Sequence, residues 1–379
     1  MNVAAEDEAA YETVQAVSFL PSQLQGFLLQ AARPNIVGHV AAERGGQRMK
    51  VTNSIAVISL ASLVAACAHT DNQLRRDASA LFGRIEAVST AATPEVELGR
   101  ALFWDARVSA DGRTACASCH PASAWGADRR RFSPDARGEL TSRQSPTIFN
   151  SALQHAFRWL GDRDSLAQQA EGSLTGSLGF ASKDAGISRL NELQYEAAFR
   201  AAYPGAEKPV TAANYGRAIA AYEATLVTPA PFDRFLAGDD SALDSKQQAG
   251  LRAFIATGCM ACHNGALLGG NSFQKFGVVK DYWLETGSEK QDIGREAMTK
   301  KSEDRYFFRV AMLRNVAKTA PYFHDGSVAE LDRAVRVMAA VQLGRTLDDA
   351  TTAAIVAFLG SLSGAIPQNY APPVQRPVR

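Results

Sequence analysis

The chain has 379 residues, with 40 Lys+Arg against 39 Asp+Glu, a net charge of +1, 46% hydrophobic residues and 21% charged ones. That balance, without long basic runs, excludes a nucleic-acid binder, and the ordinary aromatic content excludes a disordered chain. Length alone allows two or three domains.

Met49-Lys-Val-Thr-Asn begins a short polar stretch, followed by an apolar run from Ile55 to Val64 and then Ala65-Ala66-Cys67. The run is shorter than the about 20 apolar residues of a membrane span. It ends in small residues of the kind a signal peptidase reads, and the polar stretch from His69 to Arg76 does not continue it as a helix. Residues 49–66 are therefore expected to be a signal peptide and residues 67–94 a linker, with residues 1–48 an upstream extension that precedes the true start; a buried helix is the alternative. Val64-Ala65-Ala66-Cys67 resembles a bacterial lipobox. That resemblance implies acylation of Cys67 and a lipid anchor at the periplasmic side of a membrane.

Two segments then repeat one plan, a helix followed by a cysteine motif. Thr93 before Pro94 reads as a helix cap with proline at the first helical position, leading through Leu98-Gly99-Arg100-Ala101-Leu102-Phe103 to Cys116-Ala-Ser-Cys119-His120. Ser245 with Gln248 reads as a capping box, leading through Gly250-Leu251-Arg252-Ala253-Phe254-Ile255 to Cys259-Met-Ala-Cys262-His263. Between the motifs, Leu190 to Ala202 and Ala212 to Leu226 carry helical spacing. Later Val328, Leu331, Val335 and Met338 do so, as do Ile355, Phe358, Leu359 and Leu362. No stretch alternates strongly enough for a large sheet. The fold expected is mainly α, two cytochrome c-like haem domains in one chain, at residues 95–230 and 231–366 with an irregular, proline-rich tail at 367–379.

Each motif is a C-x-x-C-H haem-attachment pattern. Two thiols three positions apart can both add to the vinyl groups of one haem, and the next histidine is placed to ligate its iron. A zinc ribbon also uses paired C-x-x-C, but it does not need histidine at the same offset twice. The sixth position of each iron decides between electron transfer and catalysis. Between His120 and the second motif there is no methionine and one histidine, His155, which reads as a partly buried polar residue; the first iron is expected to be open. Met338 falls on an apolar helix face that could approach the second haem, although methionine also serves as core filler.

Further residues point to a family. They are Ser145-Pro146-Thr147; Trp159 followed by Asp164-Ser165-Leu166 and Gln169-Ala170; Pro231-Phe232-Asp233-Arg234-Phe235-Leu236; Leu313-Arg314-Asn315-Val316-Ala317; Thr319-Ala320-Pro321-Tyr322-Phe323-His324-Asp325-Gly326; and Met338 before Gln342-Leu343-Gly344. From about Leu98 to Leu362 the chain resembles the bacterial di-haem cytochrome c peroxidases and their relatives that oxidise tryptophan in partner proteins. The resemblance implies two covalently bound haem c groups. The amino-terminal one, on His120, would be the low-potential peroxide site, and the other, on His263 and Met338, would accept electrons from a small donor such as a cytochrome c or cupredoxin. It makes Trp159 an electron relay between the haems and Gln169 a residue that orients hydrogen peroxide. It implies a calcium site on Thr319, Pro321 and Gln144, the last standing where the family has asparagine. His324 is expected to make a structural hydrogen bond.

Two departures accompany these matches. No histidine lies between Pro121 and Gln154 to cap the first haem, and the family's distal glutamate falls on Gly179, with Glu171 the nearest acid. General acid or base help of that kind contributes about 10²- to 10⁴-fold. The expected function is a periplasmic di-haem peroxidase, lipid-anchored to the outer membrane, with a homodimer admitted. The alternatives are peroxide-dependent oxidation of a partner protein's side chain and a non-catalytic electron carrier or redox sensor. Glutamate placed at Gly179 is the expected discriminator for the carrier.

Overall fold

A computed structural model describes residues 73–373. The readings made at residues 1–67, including the signal and the Cys67 anchor, lie outside the described residues. The described chain is mainly helical. Its principal helices are α1 (residues 73–81), α2 (Pro94–Trp104), α3 (Leu166–Ser173), α4 (Ala212–Ala224), α5 (Ser245–Thr257), α6 (Leu331–Leu343) and α7 (Asp349–Gly360). Among the described residues the one sheet pairs β1 (Phe273–Lys275) with β2 (Phe307–Arg309), antiparallel, Phe273 facing Arg309. No described helix is long and apolar enough to cross a membrane.

The sequence builds the same helix crossing twice. Thr93 caps α2 by accepting the Val96 N–H, and α2 then crosses α4 at Gly99, where a Cβ would lie 1.8 Å from the Ala218 carbonyl oxygen. One turn on, Phe103 meets Tyr222 edge to face at 5.5 Å. In the second half α5 crosses α7 at Gly250, where a Cβ would lie 1.9 Å from the Ala354 oxygen, and Phe254 meets Phe358 at 5.3 Å. Only a residue without Cβ lets two helix backbones approach this closely. The correspondence continues past the helices. Asn150 and Asn315 both adopt left-handed backbone (φ 61° and 62°), each donating its N–H to a leucine carbonyl, Leu226 or Leu362. Each side-chain oxygen then accepts a backbone N–H two residues farther on, from Thr228 and Gly364 respectively.

The two halves meet at Thr228. Its buried Oγ1 accepts from Asn150 Nδ2 at 2.8 Å and from Asn315 Nδ2 at 2.9 Å. Thr228→Val leaves two buried amides without their acceptor, each costing about 1–3 kcal/mol. The urea midpoint of the haem-loaded protein is expected to fall accordingly, and Thr228→Ser to restore most of it.

Several elements differ from the sequence reading. The box that starts α5 is Asp244 with Gln247, one residue earlier than Ser245 with Gln248, because the Asp244 carboxylate captures the Gln247 N–H at 2.8 Å and Gln247 returns a bond to the Asp244 N–H. The run from Leu190 to Ala202 is two helices, Lys183–Glu192 and Glu196–Ala202, broken where Gln194 turns left-handed (φ 61°). Val328 precedes α6 and pairs instead with Tyr322 as an isolated bridge. The described part of the tail, residues 367–373, is irregular, yet Tyr370 is buried among Phe103, Trp104 and Phe149 and donates its hydroxyl to the His120 carbonyl.

Candidate active site

The two cysteine motifs open onto different cavities. Cys116, Cys119 and His120 line one of about 540 Å³. Cys259, Cys262 and His263 line another of about 200 Å³, together with Met338 from α6. A single four-cysteine zinc site is thereby excluded, since the two thiol pairs face different spaces. The four thiols are unpaired, and burial pushes Cys116 up to about 12 and Cys259 up to about 11.

Each motif histidine is oriented by its backbone. His120 Nδ1 hydrogen-bonds the Gly126 carbonyl at 2.8 Å, and His263 Nδ1 the Leu268 carbonyl at 3.0 Å. With Nδ1 engaged, Nε2 is the nitrogen left for a metal, the arrangement that metal-ligating histidines use. Burial holds both imidazoles below the usual histidine value, so they are neutral donors. Paired thiols and a neutral, oriented imidazole on one cavity wall, present twice, fit two covalently attached haems.

Trp159 lines both cavities. Its Nε1 donates to the Gln144 carbonyl at 2.8 Å, the Gln144 N–H donates to the His324 carbonyl at 2.7 Å, and the Arg309 N–H donates to the Trp159 carbonyl at 2.9 Å. The buried His324 ring stacks on Phe308 at 4.3 Å and meets Trp159 edge-on at 6.3 Å. The hydrogen bond expected of His324 is thus made by its backbone; its Nε2 is buried without a partner, 3.8 Å from Asp292 Oδ2. Gln144 lines the first cavity and is tied through His324 to the loop that carries Thr319 and Pro321. Its side-chain amide donates to the Asp128 carbonyl at 2.9 Å.

On the first cavity, Gln169 lies on the wall, placed by α3, whose cap Ser165 accepts the Gln168 N–H. His120 is the one histidine or methionine among the described residues lining this cavity, and His155 is exposed and off it. Glu171 is also off the wall and pairs with Lys183. Gly179 does not line the cavity. It is left-handed (φ +76°), and a Cβ there would sit 3.0 Å from the Ala136 Cβ. A glutamate at this position carries backbone strain, so it is a poor discriminator between peroxidase and carrier.

The buried acid on this wall is one the sequence reading missed, Glu223 of α4. Burial pushes its carboxyl up to about 8, against the Ser151 hydroxyl that donates to it at 3.4 Å. The folded chain holds this proton where the unfolded chain, at an ordinary carboxyl value near 4.5, has released it. Its contribution therefore lowers stability as pH rises from about 4.5 to about 8, and not outside that window. Glu223→Gln is expected to flatten that part of the stability curve, read as urea midpoints at about pH 5 and about pH 8.

Comparison with known proteins agrees with this geometry. The family model described as di-haem cytochrome c peroxidase matches residues 93–241. The cytochrome c551 peroxidase of Pseudomonas aeruginosa is 44% identical over 307 residues, covering 78% of this chain and 88% of that protein. The methylamine utilization protein MauG of Methylorubrum extorquens is 34% identical over 289 residues, covering 73% of this chain and 79% of that protein. Among solved structures, a MauG-like protein associated with microbial copper homeostasis shares the fold with a TM-score of 0.64 at 24% identity, covering 77% of this chain and 96% of that one. With the two cavities and their motifs, these relatives identify the chain as a member of the di-haem cytochrome c peroxidase family and a cytochrome-c-peroxidase-like oxidoreductase.

Proposed function

We propose that the protein is a periplasmic peroxidase that reduces hydrogen peroxide to water with electrons from a small donor such as a cytochrome c. The observation that carries this reading is the position of Trp159 on both cavity walls. When bound, the two haems supply iron centres that exchange single electrons and receive the oxidising equivalents of peroxide. His263 and Met338, on the walls of the second cavity, would hold the second iron, and a thioether ligand would raise its potential and suit it to receive electrons. Trp159 passes them to the first cavity. There His120 would hold the first haem's iron through Nε2, and Gln169, on the same cavity wall, would orient hydrogen peroxide by hydrogen bonding. Gln144, Thr319 and Pro321 would supply carbonyl oxygens suited to calcium. Export with acylation at Cys67 would place the protein on the outer membrane, within reach of a periplasmic donor.

The direct test is stopped-flow mixing of the reduced, doubly loaded protein with hydrogen peroxide. Oxidation of the His120 haem should precede that of the Met338 haem. Oxidation no faster than that of free haem overturns the reading.

A further inference from the structure

Arg309 stands at the end of β2, and its side chain lines both cavities beside Trp159. It is 5% exposed, and its guanidinium contacts are the Arg158 carbonyl at 3.0 Å and Gln154 Oε1, both neutral acceptors. No described acid pairs with it, and of the acids that line the first cavity Asp162 pairs with Arg158 and Arg163, and Asp135 and Glu139 with Arg137. The second cavity has no carboxylate among its lining residues, and it has Lys275 as well as Arg309. A buried cation with no counter-charge is costly, so a site that retains one is built for an anion. Burial pulls the guanidinium down to about 10, which leaves it charged at neutral pH.

We propose that Arg309 is the shared counter-charge of both haems, taking its anionic partners from the haem propionates and setting the two reduction potentials together. This rests on the two-haem reading above. A fixed positive charge favours the reduced iron, which carries one positive charge fewer, and it does so for any iron within its low-dielectric surroundings. One residue on both walls acts on both couples. Arg309 is thus a positioning and tuning residue for electron transfer between the haems.

The experiment is a spectroelectrochemical titration of the holoprotein after haem counting by pyridine haemochrome. Fewer than two haems per chain would defeat the functional reading itself, whereas two haems with unmoved potentials would defeat only this inference. In Arg309→Gln each iron's reduced-to-oxidised ratio at fixed potential should drop about tenfold, which is about 59 mV for a one-electron couple. Arg309→Lys, which keeps the charge, should retain most of both potentials. Movement of one couple alone, of neither, or equal loss in the Lys and Gln variants overturns the proposal. Should Arg309→Gln fail to load haem, Gln154→Glu answers instead. It gives Arg309 a carboxylate of nearly the same shape, so both potentials should fall, and unchanged or one-sided potentials overturn the proposal.

Discussion

Trp159→Phe is expected to leave both haems attached and the donor-reduced spectrum of the second haem unchanged, while steady-state peroxide turnover falls about hundredfold or more, equivalent to about 2.7 kcal/mol of barrier. Phenylalanine keeps the ring where Trp159 packs beside His324, so the loss is not one of bulk. It removes the Nε1–H held by the Gln144 carbonyl, and with it an aromatic system that gives up an electron far more readily than benzene does. The backbone at this position is pinned independently by the Arg309 N–H on the Trp159 carbonyl, which keeps the two cavity walls together in the variant. Stopped-flow separates the steps. Reduction of the second haem by the donor should proceed at the wild-type rate, and the electron should then stall before reaching the first. Turnover equal to wild type would assign Trp159 to packing alone.

Much of this site was legible because its chemistry is local in sequence. The spacing of Cys116, Cys119 and His120, and of Cys259, Cys262 and His263, sets one cavity apiece, and a thioether at helical spacing put Met338 on the wall of the second. The glycine-to-aromatic interval was visible as well, Gly99 to Phe103 and Gly250 to Phe254, although the crossing partners at Ala218 and Ala354 become evident only in three dimensions. What sequence concealed depends on long-range pairing. Arg309 reads as an ordinary strand cation in Phe307-Phe308-Arg309-Val310, and only the fold shows that its guanidinium meets neutral acceptors and, among the described residues, no acid. Glu223 sits in a helix with other polar residues, and its elevated carboxyl follows from burial that periodicity does not rank. The cap at Asp244 was missed by one residue because aspartate and serine are near-equal caps and the local pattern fits both. The break at Gln194 carries no glycine or proline to announce it.

The largest stability effect is expected at Asp233, where two sequence motifs 81 positions apart prove to be one structural unit. Arg314 is 1% exposed, and both of its terminal nitrogens donate to the Asp233 carboxylate, at 2.7 and 2.9 Å. The same carboxylate accepts the Ile85 N–H at 2.6 Å and the Ala230 N–H at 2.7 Å, while Arg314 Nε donates to the Ala266 carbonyl at 2.8 Å and another of its nitrogens to Gly83 at 3.3 Å. The pair thus clasps the segment after α1, the turn before Pro231 and the loop that follows the second cysteine motif. Asp233→Ala strips the counter-charge from a buried guanidinium and orphans two backbone donors. A cost of about 3–5 kcal/mol follows from the first effect alone, out of the about 5–15 kcal/mol that holds a typical protein folded. Asp233→Asn should be nearly as damaging, since its amide would present a donor to Arg314's donors and the charge would still be unmatched. Replacing both partners by apolar residues of similar volume, Asp233→Leu with Arg314→Met, should recover a large part of the single-variant loss, because no buried charge then remains. Urea unfolding of the wild-type, Asp233→Leu, Arg314→Met and double-variant holoproteins forms the cycle, with Asp233→Ala measured beside it. A double variant as unstable as Asp233→Ala would mean that the clasp acts through its hydrogen bonds to Ile85, Ala230 and Ala266 and not through charge.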